Sequence, residues 1–277
     1  MYETLINAEQ LSESYQLSDW VILDCRYDLA DKTAGREAYL KGHIPGACYV
    51  DLHEQLAGTV GPGSGRHPLP TPEQLVEVFS SLGISQDSQV VAYDAASGAF
   101  AARAWWLLRF MGHSRVAVLD GGWPAWLAAG LGSENGDVRA PRADFSGEAR
   151  VDRIVEMEDV LSSEKLVDSR EGPRYRGEVE PIDPVAGHIP GALNRSWKDN
   201  LDASGTFLDS SELHRQFTDL YADTAAEEVV FYCGSGVTAC HNLLALAHAG
   251  LPEARLYPGS WSQWCSSKDR PIATGSE

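Results

Sequence analysis

The chain carries two copies of one pattern, and this duplication limits its fold more than any other feature. Asp24-Cys25-Arg26 returns as Asp168-Ser169-Arg170. Gly42-His43-Ile44-Pro45-Gly46-Ala47 returns as Gly187-His188-Ile189-Pro190-Gly191-Ala192, with the two histidines 145 residues apart. Val90-Val91-Ala92-Tyr93-Asp94 returns as Val229-Val230-Phe231-Tyr232-Cys233, and Gly121-Gly122-Trp123 as Gly259-Ser260-Trp261. Motifs repeated in one order at nearly constant offset indicate a tandem domain duplication. The period is far too long for a solenoid.

The repeats predict an N-terminal domain over 1–135, a linker over 136–149 and a C-terminal domain over 150–277. The stretch 128–151 is rich in glycine, polar and charged residues, contains Pro141, and has little apolar periodicity. Short apolar runs predict strands at 20–24, 89–93 and 115–119 in one half and at 166–168, 229–232 and 254–257 in the other. Helical patterns lie between them. One covers 71–82, with Thr71 as N-cap, Pro72 at the first helical position and Gln74 completing a capping box. Another covers 101–111 and is stopped by Gly112. Strands alternating with helices define an α/β fold, each copy a mostly parallel sheet flanked by helices. Ligands of such sheets collect beyond the carboxyl ends of the strands. Cys233 ends the strand at 229–232.

The residues after that strand, Cys233-Gly234-Ser235-Gly236-Val237-Thr238, describe a thiol inside a ring of backbone N–H groups. Glycine at 234 and 236 lets the chain curl. Successive amides then converge on one anion, and the positive end of the following helix, predicted over 238–249, adds to the field. Such surroundings favour the thiolate, the reactive form of cysteine. Ser235 and Thr238 bring hydroxyls to the same ring. A cysteine at a strand end ordinarily packs as a small hydrophobe, and Cys25, Cys48, Cys240 and Cys265 are read that way, because none has a glycine nest around it.

Five cysteines at irregular spacing, without a C-x-x-C, predict neither a disulfide framework nor a metal site, and fit a reducing compartment. The N-terminus lacks a signal-peptide pattern and no run of about 18 apolar residues occurs, so a cytoplasmic protein without membrane association is expected. A formal charge of −18 disfavours nucleic acid.

With the doubled Gly-His-Ile-Pro-Gly, the Cys233 loop and the terminal Gly-Ser-Trp in view, the chain resembles the two-domain rhodanese family over almost its full length. Cys-Gly-Ser-Gly-Val-Thr-Ala at 233–239 is similar to the active-site loop of 3-mercaptopyruvate sulfurtransferases. Thiosulfate-preferring relatives usually carry Arg-Lys where this chain has Gly234-Ser235. The resemblance implies two rhodanese-like domains, of which the N-terminal one has lost its nucleophile, since Asp94 stands at the cysteine position. It implies no cofactor, and a small anionic sulfur donor. A sulfane sulfur would pass from 3-mercaptopyruvate through a Cys233 persulfide to cyanide, a small thiol or thioredoxin. Thiosulfate as preferred donor is the alternative.

By the same resemblance Arg174 grips the anionic part of the donor, a role suited to a planar guanidinium. Gly234, Ser235, Gly236, Val237 and Thr238 complete the donor site. The family commonly places a second arginine a few residues beyond a Glu-Pro pair, whereas this chain has Glu180-Pro181-Ile182-Asp183. One cation is therefore missing, and Arg66, Arg195 and Lys198 are the candidates to replace it. Some mercaptopyruvate enzymes use a histidine and an aspartate in proton transfer. His67, reaching the cleft from the N-terminal domain, is a candidate for the first, and Asp51 or a neighbour for the second. Phe100 matches an aromatic pocket position.

Asp24 with Arg26, Asp168 with Arg170, and the histidines 43 and 188 occur in both halves, including the one without a nucleophile. They are read as structural, as are Trp123, Trp126, Trp261 and Trp264. Rhodanese-like folds also serve phosphatase chemistry, but that requires Cys-x5-Arg, and position 239 is alanine. A carrier or docking module without turnover is the non-enzymatic alternative.

Overall fold

The computed structural model describes residues 1–276, in two compact units. Met1–Ala57, Pro70–Arg150 and Ala203–Thr206 make the first; Gly58–Leu69, Val151–Asp202 and the chain from Phe207 onward make the second. The segment 58–69 thus belongs with the C-terminal half. Residues 136–149 form neither helix nor strand and lie in the first unit. Phe145 is buried there and its N–H donates to Ser80 Oγ at 3.2 Å.

In the first unit, β1 (Leu5–Ile6), β2 (Trp20–Asp24), β3 (Cys48–Tyr49), β4 (Gln89–Tyr93) and β5 (Val116–Leu119) form a sheet of order β1-β5-β4-β2-β3. In the second, β6 (Lys165–Asp168), β7 (Leu193–Asn194), β8 (Val229–Tyr232) and β9 (Arg255–Leu256) are ordered β7-β6-β8-β9. Every one of these strand pairings is parallel. All residues of β4 and β8 are buried. That is why both read as unbroken apolar runs rather than alternating ones, as expected for a parallel strand covered on both faces. Among the described residues no helix is long and apolar enough to cross a membrane.

The predicted elements form where their signals place them. The helix Pro72–Ser81 opens with a capping box: Gln74 N–H donates to Thr71 Oγ1 and Thr71 N–H to Gln74 Oε1. The helix Ala101–Phe110 gives way to Gly112 at φ 82°, a left-handed conformation that costs glycine little.

Each unit is tied by the same buried clasp. In the first, Arg26 bonds Asp24 Oδ2 at 2.6 Å and donates to Gly42 O at 2.7 Å, while its guanidinium lies over Trp123. In the second, Arg170 bonds Asp168 Oδ2 at 2.6 Å, donates to Gly187 O at 2.6 Å and lies over Trp261. Burial alone would lower the Arg170 pKa, but the Asp168 carboxylate more than offsets it and raises the value. The repeated histidines organise turns: His43 Nδ1 lies 2.8 Å from Tyr39 O and His188 Nδ1 2.8 Å from Tyr175 O.

Beyond β4, Asp94 is fully buried and its carboxylate gathers four backbone amides. Oδ1 accepts from Ala96 (2.8 Å) and Gly98 (2.9 Å), Oδ2 from Phe100 (2.8 Å) and Ala101 (2.9 Å). The loop is thus an anion nest filled by its own side chain. Removing the charge would strand several buried donors, each costing about 1–3 kcal/mol when unsatisfied. Asp94→Ala is expected to destabilise the protein by roughly 3 kcal/mol, with Asp94→Asn intermediate. The shift of the urea unfolding midpoint measures it, and an unchanged midpoint would remove Asp94 from its place as the loop's organiser.

Candidate active site

In the second unit the corresponding position is Cys233, buried at the carboxyl end of β8. Its backbone is fixed on both sides. The Cys233 N–H donates to Ser260 Oγ at 3.1 Å, and Cys233 O accepts from Trp261 N–H at 3.0 Å. Gly234 O accepts from Ser262 N–H at 2.9 Å. Ser260 adopts φ 54°, a strained value for a residue with a side chain. Its Oγ accounts for that choice, since it also donates to Tyr257 O at 2.9 Å. Gly122 takes the equivalent place in the first unit at φ 56°. Gly236 lies at φ 75°, and a Cβ there would stand 2.4 Å from Pro258 O, so only glycine fits the curl.

The helix Ala239–His248 follows directly and is buried over most of its length. Its start leaves N–H groups without intrahelical acceptors. Among the described residues, the amides of Ser235, Val237 and Thr238 donate to no backbone carbonyl. Thr238 holds the N-cap position but makes no side-chain cap bond. Cys240, one turn in, is buried and donates to Gly236 O at 3.3 Å. The remaining cysteines are free and buried. Burial pushes the thiols of Cys25, Cys48 and Cys265 up, against ionisation.

Ser235 is engaged rather than open: its Oγ lies 2.8 Å from His67 Nδ1, and His67 is buried. His67 therefore sits at the Cys233 loop within the second unit, not on the N-terminal half from which the sequence expected it to reach. Its segment is pinned there. A Cβ on Gly65 would meet Gly259 O at 2.5 Å, and Arg66 N–H donates to Ser262 Oγ at 3.1 Å. Asp51 remains in the first unit, where it accepts from His53 N–H at 2.7 Å. Phe100, also in the first unit, meets the Tyr27 ring edge-on.

The three candidate cations separate clearly. Arg195 is buried and committed to Asn200, Asn242 and Gln216, with burial lowering its pKa to about 10. Lys198 is half-exposed and paired with Glu171 at 2.7 Å. Arg66 stands at the loop: a Cβ built on Gly234 would lie 2.9 Å from Arg66 Nη2 and 3.6 Å from each terminal nitrogen of Arg174. Arg174 is held by Glu180 at 2.6 Å and Asp183 at 3.2 Å, and Arg66 by Asp183. Burial lowers the Arg66 pKa. The sequence signal for Arg66 and His67 was faint but present. They are a cation and an imidazole set in Gly61-Pro62-Gly63-Ser64-Gly65-Arg66-His67-Pro68, a run with no helical or strand period.

The geometry agrees with what comparison with known proteins finds. The rhodanese-like domain model matches residues 7–129 and again 151–267. A Pseudomonas aeruginosa protein described as "Probable 3-mercaptopyruvate sulfurtransferase" is 48% identical over 278 residues, 98% of either chain. The thiosulfate sulfurtransferase of Mus musculus is 33% identical over 278 residues, covering 95% of this chain and 92% of its own. The solved 3-mercaptopyruvate sulfurtransferase of Leishmania major superposes with a TM-score of 0.85 at 28% identity, over 98% of this chain and 76% of that one. A cysteine-bearing loop in one copy, its carboxylate-filled twin in the other and two matches to one domain model leave one assignment: the chain belongs to the rhodanese family, as a tandem of two rhodanese-like domains.

Proposed function

We propose that this sulfurtransferase takes its sulfur from 3-mercaptopyruvate and carries it as a persulfide on Cys233. The observation that supports this reading is the Cys233 loop itself. It carries a buried thiol, a serine hydrogen-bonded to His67 at 2.8 Å, and a glycine beside which the guanidinium groups of Arg66 and Arg174 stand. The Cys233 thiolate attacks the donor sulfur and the carbon–sulfur bond breaks. The electron pair departs on carbon as the enolate of pyruvate. Ser235, hydrogen-bonded to His67, hands that enolate a proton, and His67 restores it. An acceptor thiolate or cyanide then takes the outer sulfur, and Cys233 leaves as the thiolate it began as, a two-step covalent route. The free state of all five cysteines supports a reducing, cytoplasmic setting.

Mercaptopyruvate is favoured over thiosulfate because the Ser235–His67 pair can serve an enolate leaving group with a proton, whereas the sulfite that leaves thiosulfate has no use for a proton relay. The ratio of kcat/KM for the two donors tests this: mercaptopyruvate is expected to exceed thiosulfate by at least about tenfold, and the reverse order would transfer the assignment to thiosulfate.

Incubated with mercaptopyruvate, the intact protein is expected to gain the mass of one sulfur atom, and Cys233→Ser is expected to gain none. An unmodified wild-type mass, or turnover surviving in Cys233→Ser, would end the proposal. Ser235→Ala is expected to lower kcat for mercaptopyruvate about 10²–10⁴-fold, the usual contribution of a positioned proton donor, while thiosulfate turnover changes far less. Equal losses with both donors would reduce Ser235 to a structural part. A fragment beginning at residue 150 lacks segment 58–69, which carries Arg66 and His67 in the second unit. Its turnover, measured beside the full chain, is expected to be negligible.

A further inference from the structure

We propose that Arg66 is the second cation of the donor site and that Asp183 is the residue that positions it. This rests on the reading of Cys233 as the sulfur-accepting nucleophile and goes beyond it. The family-like segment after Arg174 offers Asp183 where a cation was expected, so the charge has to come from elsewhere in the chain. It comes from a residue 117 positions away in sequence from that aspartate.

Gly234 shows where the charge goes. In a chain with a side chain at 234, that side chain would leave the backbone beside Cys233 and enter the space where Arg66 Nη2 now stands, 2.9 Å from the Cβ position. Both terminal nitrogens of Arg174 lie 3.6 Å from the same point. Two guanidinium groups thus flank the residue next to the nucleophile, and the bare α-carbon of Gly234 is what leaves room for them.

The orientation of the two arginines has a cause. Arg66 spends Nη1 on Asp183, and Arg174 spends Nε and Nη2 on Glu180 and Asp183. Arg66 Nη2 and Arg174 Nη1 have no hydrogen-bond acceptor among the described residues. The carboxylates are almost wholly buried, Asp183 at 3% and Glu180 at 4% side-chain exposure, whereas Arg66 keeps 28% and Arg174 18%. The acids lie behind and the cations in front. Glu180 is braced in turn by Arg170 at 3.2 Å, the arginine that clasps Asp168. A carboxylate shared between Arg66 and Arg174 sets their spacing and turns their unspent edges toward the loop. A planar carboxylate of the donor is the group that two such edges recognise. Arg66 cannot drift from this place, because its own N–H is held by Ser262 and Gly65 is packed against Gly259.

The test is single-turnover loading of Cys233 by 3-mercaptopyruvate in the full-length protein, followed by intact mass against donor concentration. Arg66→Gln is expected to raise the half-saturating donor concentration about tenfold or more, the consequence of losing a charge-assisted hydrogen bond, with a smaller change in the maximal loading rate. Arg66→Lys keeps the charge without the fork and is expected to fall between. It carries the test if Arg66→Gln does not fold, as judged by circular dichroism. Asp183→Asn is expected to raise the half-saturating concentration in the wild-type background and to add little in an Arg66→Gln background, since coupled residues are not additive. Half-saturation unchanged in both Arg66 variants overturns the role of Arg66. A lower half-saturating concentration in Asp183→Asn, or full additivity with Arg66→Gln, overturns that of Asp183. Wild type that never gains sulfur on Cys233 is a separate result and sinks the underlying sulfur-transfer reading instead.

Discussion

The site depends on a short backbone clasp between the end of β8 and residues 258–262, where the helix Ser260–Trp264 begins. Ser260 Oγ holds the Cys233 amide, Trp261 and Ser262 donate to the carbonyls of Cys233 and Gly234, and Gly236 passes so close to Pro258 O that no side chain fits. These contacts fix the start of the loop, and the loop fixes the thiol. That segment is in turn set by the Trp261 ring, which is fully buried beneath the Arg170 guanidinium. The structural clasp of the domain and the curl of its Cys233 loop are therefore parts of one packed unit.

The first unit carries the same device with a different occupant. Trp123 N–H donates to Asp94 O at 2.7 Å, and Gly122 approaches Asp94 O as closely as a glycine must. Where the second unit places a thiol, the first places a carboxylate that satisfies four amides by itself. A buried carboxylate so well solvated by backbone N–H groups is stable in its charged form. The comparison explains how one fold serves both purposes. The same turn of chain follows the strand in both units, and the residue at the strand end is an aspartate in one and a cysteine in the other.

Much of this was legible from residue order. The strands at 20–24, 89–93 and 229–232 and the capped helix at 72–81 were readable because apolar runs, caps and glycine stops act over a few residues. The repeated Asp-x-Arg and Gly-His-Ile-Pro-Gly motifs were readable as structural because they also appear in the half that lacks the Cys233 loop, and the clasps of Arg26 and Arg170 have that form. His67 was less legible. Its partner Ser235 is 168 residues away, and no local pattern marks an imidazole in a glycine–proline loop as buried. Arg66, Arg195 and Lys198 were indistinguishable as sequence, since each is a cation in a polar surrounding. Only their ion-pair and hydrogen-bond partners separate them.

By itself the sequence determined a duplicated α/β chain, the strand end that holds Cys233, the glycines that curl the loop after it, and the aspartate that stands at the same place in its twin. All of these follow from interactions between near neighbours or from comparing one half with the other. The tertiary structure alone decided that residues 58–69 belong to the second unit, bringing His67 to Ser235 and Arg66 to Gly234. The physical reason is that an ion pair or a side-chain hydrogen bond between distant segments imposes no periodicity on either one. Such contacts come into being only when packing closes the loop between them, and they leave a mark in space that residue order does not carry.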